Sequence, residues 1–378
     1  MLRGLDGIRC IAMILVILVH FRLVWFGWVG LQMFFVMSGL LITRLLIDHG
    51  DETPANYFIK FYARRALRIF PAFYAFIIGF LVIAWIIDAK PITTQYWQYA
   101  ATYIYNFVVA LDGEKHRFFI GHFWSLAVEE QFYLIWPLLI YFTPRRHLKT
   151  LMVIIILLAP VCRYMTYYHW TWFDNGHWPP ATYILPTSHM DAFAMGALLA
   201  IHEFKATRLH FWISFAVLIF LGWINAQVFL QPSQDIGATS LFYRLPLEIG
   251  PQFVWGYSAI NLCTAVMVCA IARRALYPRF FEHPVVDYIG RISYPTYILN
   301  LPIIGLFFWL FTTYDIDIQP GSALFVVVCL IPTFGLAALA HHYIELPANN
   351  LKNRWFAYRK RTPEEKQKAR EMLVPYQQ

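Results

Sequence analysis

The chain has 378 residues, of which 59% are hydrophobic and 14% charged, with a mean hydropathy of +0.51. A soluble globule carries nearer a quarter charged residues, so the composition describes an all-α, polytopic integral membrane protein and excludes a soluble enzyme. The net charge of +8 would suggest nucleic acid in a soluble chain, but here the cations flank apolar segments, so the lipid bilayer is the expected partner and nucleic acid is not.

The first apolar run, Leu5-Asp6-Gly7-Ile8-Arg9 through His20, predicts a helix with a cation near one end and an imidazole at the other. Residues 9 and 20 return to within about 20° of one another on a helix, so Arg9 and His20 share a face. They lie about 16 Å apart along the axis, roughly half the thickness of a bilayer core. A signal peptide is not expected, because Phe21 and Arg22 follow His20 where a small-x-small cleavage site would stand.

Long apolar windows predict ten spans, near residues 8–24, 28–47, 70–87, 123–142, 151–168, 187–201, 211–229, 253–272, 293–311 and 322–342, the sixth being short. With an even number of spans, most of the 30 Lys and Arg fall on the side of the termini. Only Arg22, Lys90, Lys115, Arg117, Arg163 and Arg244 fall opposite. By the positive-inside rule both termini are expected in the cytoplasm. The five cysteines lie in or beside spans and read as buried small hydrophobes, without metal-ligand spacing.

After the second span comes a basic run ending Ala63-Arg64-Arg65-Ala66-Leu67-Arg68-Ile69-Phe70-Pro71. It can be a topological anchor, yet Arg65 and Arg68 are three apart on one helical face, and paired guanidiniums suit the clamping of phosphates. Residues 96–109, rich in Tyr and Trp, predict an interfacial or re-entrant helix in the longest outer loop. In the fourth span Glu129 and Glu130 are costly inside a membrane unless they face protein or a cavity. Helical rise from the outer surface puts them about 10 Å deep, level with His20, where a carboxylate can hold an imidazole as a general base.

His189 and Asp191 open the sixth span, where a wet mouth and a substrate site explain them equally well. Ser293 and Tyr297 lie one turn apart at the expected cytoplasmic end of the ninth span, and His341-His342-Tyr343-Ile344-Glu345-Leu346-Pro347 closes the tenth. No Walker loop, dinucleotide fingerprint, His-Glu-x-x-His site or Gly-x-Ser-x-Gly elbow occurs in the sequence, nor an internal repeat of the kind many transporters carry.

In order along the chain, Leu5-Asp6-Gly7-Ile8-Arg9 with His20, Phe34-Phe35-Val36-Met37-Ser38-Gly39, Arg65-x-x-Arg68-Ile69-Phe70-Pro71, Phe123-Trp124-Ser125-Leu126-Ala127-Val128-Glu129-Glu130-Gln131-Phe132-Tyr133, Gly290-Arg291-Ile292-Ser293-Tyr294-Pro295-Thr296-Tyr297 and Tyr343-Ile344-Glu345-Leu346-Pro347 make one pattern. In it the chain resembles the membrane-bound acyltransferase family 3, which includes O-antigen and peptidoglycan O-acetylases and macrolide acyltransferases. The resemblance implies a transmembrane acyltransferase domain over residues 1–350, followed by a charged cytoplasmic tail over 351–378. It further implies a multi-pass protein of the cell inner or plasma membrane that moves an acyl group, most commonly acetyl, from cytoplasmic acyl-CoA to a hydroxyl of a saccharide, lipid-linked glycan or macrolide-type acceptor. No metal is implied. By motif, His20 is the catalytic histidine, with Glu129 and Glu130 as its candidate carboxylates. Arg9, Arg65 and Arg68 serve the acyl-CoA, with Ser293 and Tyr297 as nearby hydrogen-bond donors.

Gln32 stands where many members have Asp, and Asn300 where many have His. No esterase-like domain follows the last span, so a two-step relay in one polypeptide is not expected. The alternative reading is a small-molecule transporter or flippase whose Arg, His and Glu residues form an intramembrane pathway.

Overall fold

A computed structural model describes residues 4–49, 52–90, 96–112, 119–169, 181–202, 204–229, 240–241, 243, 252–319 and 321–358. Lys115, Arg117 and Arg244 of the expected outer cations, and the tail beyond 358, lie outside the described residues. Among the described residues there are helices and turns and no strand, the all-α membrane architecture expected from composition.

Eleven helices carry the architecture: α1 Leu5–His20, α2 Val29–Asp48, α3 Pro54–Ile86, α4 Phe123–Phe142, α5 Leu148–His169, α6 Met190–Ile201, α7 Arg208–Phe229, α8 Gln252–Ala272, α9 Ser293–Thr313, α10 Ala323–Ala340 and α11 Leu346–Trp355. Among the described residues seven helical stretches are long and apolar enough to cross a bilayer: Trp25–Asp48, Pro54–Ile86, Arg145–Tyr168, Arg208–Gln227, Gln252–Ala272, Ser293–Thr313 and Ala323–Trp355. The expected first and sixth spans are shorter, at 16 and 12 residues, while α4, with 20 residues and two carboxylates, is not among the seven.

One boundary differs from expectation. The basic run before Phe70, expected ahead of the third span with Arg65 and Arg68 on one helical face, is continuous with that span: it forms the first half of α3, a 33-residue helix that continues through Pro71. The expected interfacial helix is instead two short ones, Trp97–Ala101 and Tyr105–Asp112, separated by a turn in which Tyr103 has φ 54°.

The chain divides into two compact units. The first comprises Met1–Asp48, Leu138–Arg291 and Pro363–Gln378; the second comprises His49–Pro137 and Ile292–Thr362. Within the first unit, α2 and α6 cross at paired glycines. A Cβ at Gly39 would lie 2.0 Å from the Phe193 carbonyl oxygen, and one at Gly196 would lie 2.0 Å from that of Val36. No side chain fits either position, and this close backbone approach is how apolar helices pack where lipid offers no hydrophobic contrast. The start of α1 is seated the same way, since a Cβ at Gly290 would lie 1.8 Å from the Asp6 carbonyl oxygen.

In the second unit an aromatic wedge packs α3 against the start of α4 and the re-entrant segment. Phe73 meets Phe123 with centroids 5.5 Å apart, and Phe80 meets Trp97 at 5.8 Å. Gln131 clasps that segment, donating to the Tyr103 carbonyl at 2.8 Å and to Asn106 Oδ1 at 2.9 Å, so the residue after the two glutamates is an anchor.

Candidate functional site

In the first unit, α1 presents Arg9 and His20 as expected, at its first turns and its last residue. The Arg9 guanidinium is held by Asp6 Oδ1 at 2.5 Å, one turn earlier, which gives the aspartate of the Leu-Asp-Gly-Ile-Arg segment a role: it aims the cation. His20 is the last residue of the same helix.

The first unit also holds a polar network that corrects two expectations. Arg163, counted among the outer cations, is 0% exposed in the interior, and Asp191, placed at a mouth, is likewise buried. They form an ion pair, with Asp191 accepting further from Ser258 Oγ at 2.5 Å and Asn261 Nδ2 at 3.0 Å. Arg163 also donates to the carbonyls of Ser188 at 3.2 Å and Val254 at 2.5 Å. A buried charge persists only when paired and saturated with hydrogen bonds, as this one is.

His189 belongs to the same interior. Its Nε2 meets the Tyr183 carbonyl, which can only accept, so Nε2 carries the proton and Nδ1 accepts from Gln32 Nε2 at 3.3 Å. Gln32 therefore has a physical place of its own: an amide donates to this imidazole where a carboxylate could only accept.

In the second unit, Arg65 and Arg68 project from the middle of α3, Glu129 and Glu130 from α4, and Ser293 and Tyr297 from α9. The Arg65 guanidinium lies over the Tyr133 ring, 4.9 Å from its centroid, and 5.8 Å from that of Phe61. The Tyr133 hydroxyl donates to Glu129 Oε1. The carboxylate pair thus belongs to the basic rack itself, contrary to the expectation of a separate station near the outer surface. The depth argument failed because it assumed that α4 starts at the membrane face, whereas Phe123 packs against Phe73 and Phe76, in the middle of α3.

Glu130 shares its electrostatic surroundings with Glu129, Arg65, Tyr74 and Tyr103. Tyr297 does not sit beside the arginines: its hydroxyl pairs with Ser125 and donates to the His122 carbonyl at 3.1 Å, tying α9 to α4. Ser293, one turn earlier, is buried.

Two further groups join this unit's site. The chain from His341 to Glu345 is a π-helical turn, a form found mostly at functional positions. It places His341 Nδ1 2.6 Å from the buried Glu345 carboxylate, in electrostatic range of Arg68. Tyr133 closes the Phe123-to-Tyr133 motif, but in a sequence that is 19% aromatic nothing marked it as a site residue. Its one distinguishing signal was position, one helical turn after Glu129.

The acyltransferase 3 family model, described as an acyltransferase domain, matches residues 2–342. The chain is 27% identical over 399 residues to the O-acetyltransferase OatA of Staphylococcus aureus, covering 99% of this chain and 61% of that protein. It is 28% identical over 367 residues to the peptidoglycan O-acetyltransferase OatA of Listeria monocytogenes, covering 91% of this chain and 55% of that one. The chain therefore spans little more than half the length of the curated relatives it matches. No solved structure matches it.

Proposed function

The chain belongs to the acyltransferase 3 family, and from that premise we propose that it is an O-acetyltransferase of the cell's inner or plasma membrane. Its donor is acyl-CoA, most simply acetyl-CoA, and its acceptor a saccharide hydroxyl, peptidoglycan being the glycan in the name of the Listeria relative. The observation that carries this reading is the cluster of Arg65, Tyr133 and Glu129 in the second unit, which joins a guanidinium to a carboxylate inside an apolar bundle.

The residues divide the work by chemistry. Arg65 and Arg68 bind donor phosphates, because forked guanidiniums meet phosphate oxygens in pairs, and the ring faces that hold Arg65 leave its N–H groups for that purpose. Arg9, held by Asp6, is the first unit's cation for the donor. Neutral His20 takes the proton of the acceptor hydroxyl as its oxygen attacks the thioester carbonyl, and returns that proton to the departing thiolate. A positioned base of this kind contributes about a hundredfold or more in rate. In the second unit Glu129 is the carboxylate of the site, held by the Tyr133 hydroxyl.

The test uses membranes carrying the full chain, acetyl-CoA labelled in its acetyl group, and chitopentaose as acceptor. Labelled ester and free CoA should appear in equal amounts with the native chain and disappear with His20→Ala, while calorimetry in detergent should show weakened acetyl-CoA binding by the Arg65→Ala, Arg68→Ala double variant. Native affinity in that double variant would reduce the basic run to a topological anchor. Native turnover in His20→Ala would place the base elsewhere.

A further inference from the structure

Within the second unit one side chain touches both the cation and the carboxylate of the candidate site. Tyr133 lies one helical turn beyond Glu129 on α4 and is 7% exposed. Its two contacts use different parts of the residue. The hydroxyl donates to Glu129 Oε1, and the ring face lies under the Arg65 guanidinium at 4.9 Å from centroid to carbon.

The backbone holds this arrangement at one register. Tyr62 on α3 donates its hydroxyl to the Leu134 carbonyl of α4 at 2.8 Å, immediately beside Tyr133, so the two helices cannot slide past each other without breaking that bond. Phe132 and Trp136, with ring centroids 4.8 Å apart, pack the flanking positions of the same helix.

We propose that Tyr133 is a positioning residue for acyl transfer, fixing Glu129 through its hydroxyl and Arg65 through its ring so that carboxylate and guanidinium keep one mutual geometry. This rests on the transferase reading above. The physical reasons are separate for the two halves. A phenol O–H to a carboxylate is a charge-assisted bond that selects one carboxylate rotamer. An aromatic face attracts a guanidinium without consuming its N–H donors, which stay available to an anion. A carboxylate in Tyr133's place would neutralise the arginine, and an aliphatic residue would leave it mobile.

Because the halves are separable, so are the variants. Tyr133→Phe removes the hydroxyl and keeps the ring. It should lower kcat by about tenfold or more, the worth of a hydrogen bond to a charged group, with KM for acetyl-CoA unchanged. Tyr133→Leu removes both and should in addition raise that KM, as Arg65→Ala does. In a double-variant cycle, Tyr133→Phe combined with Glu129→Gln should turn over no more slowly than Glu129→Gln alone, because the hydroxyl acts only through that carboxylate. A merely structural tyrosine would multiply the two losses.

Two readouts are taken from the same variants: labelled acetyl transferred from acetyl-CoA in membranes, and total O-acetyl ester released by base from the glycans of expressing cells. Native kcat in Tyr133→Phe, or losses that multiply in the double variant, would overturn the proposal. If membranes consume no acetyl-CoA while the cells carry O-acetyl esters, the donor assignment fails instead, and Tyr133 is then judged on the cellular ester, which Tyr133→Phe must lower for the proposal to stand. Detergent-solubilised Tyr133→Phe should elute as the native chain does, since its packing volume is nearly unchanged.

Discussion

The first unit's Arg163 and the second unit's Arg65 use one side-chain type in opposite ways. Arg163 is fully buried and its guanidinium is consumed by Asp191, Ser258 and two carbonyls, so nothing remains for a ligand. Arg65 is held by the faces of Tyr133 and Phe61, contacts that orient the group without using its N–H donors. A saturated guanidinium is a bolt between helices; a guanidinium held by rings is a hand left open. Two arginines of one sequence thus differ in what meets their nitrogens, and charge patterning alone cannot separate them.

The sharpest way to break the contrast is to strip each cluster of one partner. Asp191→Ala leaves a buried guanidinium unpaired and should cost about 3–5 kcal/mol, enough that little folded protein survives detergent extraction. Replacing both partners, as Arg163→Met with Asp191→Leu, should recover part of that loss, because a buried ion pair is often no more stable than an apolar pair of its volume. Arg65→Met should do the reverse: shift the thermal midpoint by the equivalent of about 1 kcal/mol or less and lower turnover. A folded, native-like Asp191→Ala chain would show that Arg163 has other support and that the contrast is false.

Next in size is the asymmetry of the carboxylates. They project about 100° apart on α4, so one cavity cannot receive both directly. Glu129 is the one bonded to Tyr133, and Glu129→Gln should reduce turnover by about a hundredfold while Glu130→Gln costs severalfold at most. Initial rates of labelled-acetyl transfer at saturating donor decide it. Equal and small losses would demote both to packing.

How far the sequence could be read follows the same line between pattern and partner. The helical membrane architecture was legible because 59% hydrophobic residues in long runs admit no other fold. The positions of Arg9 and His20 were legible because one helix carries both, and helical period needs no tertiary information. What was not legible depended on packing. Arg163 looks like a loop-edge cation until α5 is set against α6 and α8, and Glu129 looks like an outer-face carboxylate until α4 is seen to start at the middle of α3. The helical face shared by Arg65 and Arg68 was legible from their spacing, but the continuity of the basic run with the third span was not, because charges end most spans while α3 carries these as helix without interruption.

A smaller effect should appear at Gln32. Its amide supplies the proton that His189 Nδ1 accepts, since Nε2 already donates to the Tyr183 carbonyl. Gln32→Leu would strand that buried acceptor at a cost of about 1–3 kcal/mol, visible as a lower thermal midpoint in detergent with KM for donor unchanged. An unchanged midpoint would mean that the imidazole finds another donor, and that Gln32 is tolerated in place of Asp without being used.

The smallest effect belongs to the strap that ends the second unit. Arg64, one residue before Arg65, donates to the Phe356 carbonyl at 3.0 Å, and its guanidinium lies 4.9 Å from the Tyr358 ring centroid. The same ring stacks on His49 at 4.1 Å with an interplanar angle of 14°. Burial pushes the Tyr358 phenol up to about 12, with Arg64 and Arg65 pulling it back, so the ring is neutral at physiological pH. The raised value means that the strap's phenol contributes its stability below its unfolded pKa near 10 and loses it as pH climbs from there toward 12. Arg64→Ala should therefore cost about 1 kcal/mol or less overall, because these contacts are partly exposed, yet raise amide exchange in residues 352–358 well above that of α11's first turn. Arg64→Lys should restore little of the protection, since an ammonium cannot lie flat on the ring and reach the carbonyl together. Exchange rates unaltered in Arg64→Ala would show that His49 and α11 hold the strap without it, leaving Arg65 and Arg68 as the arginines of α3 on which the contrast with Arg163 depends.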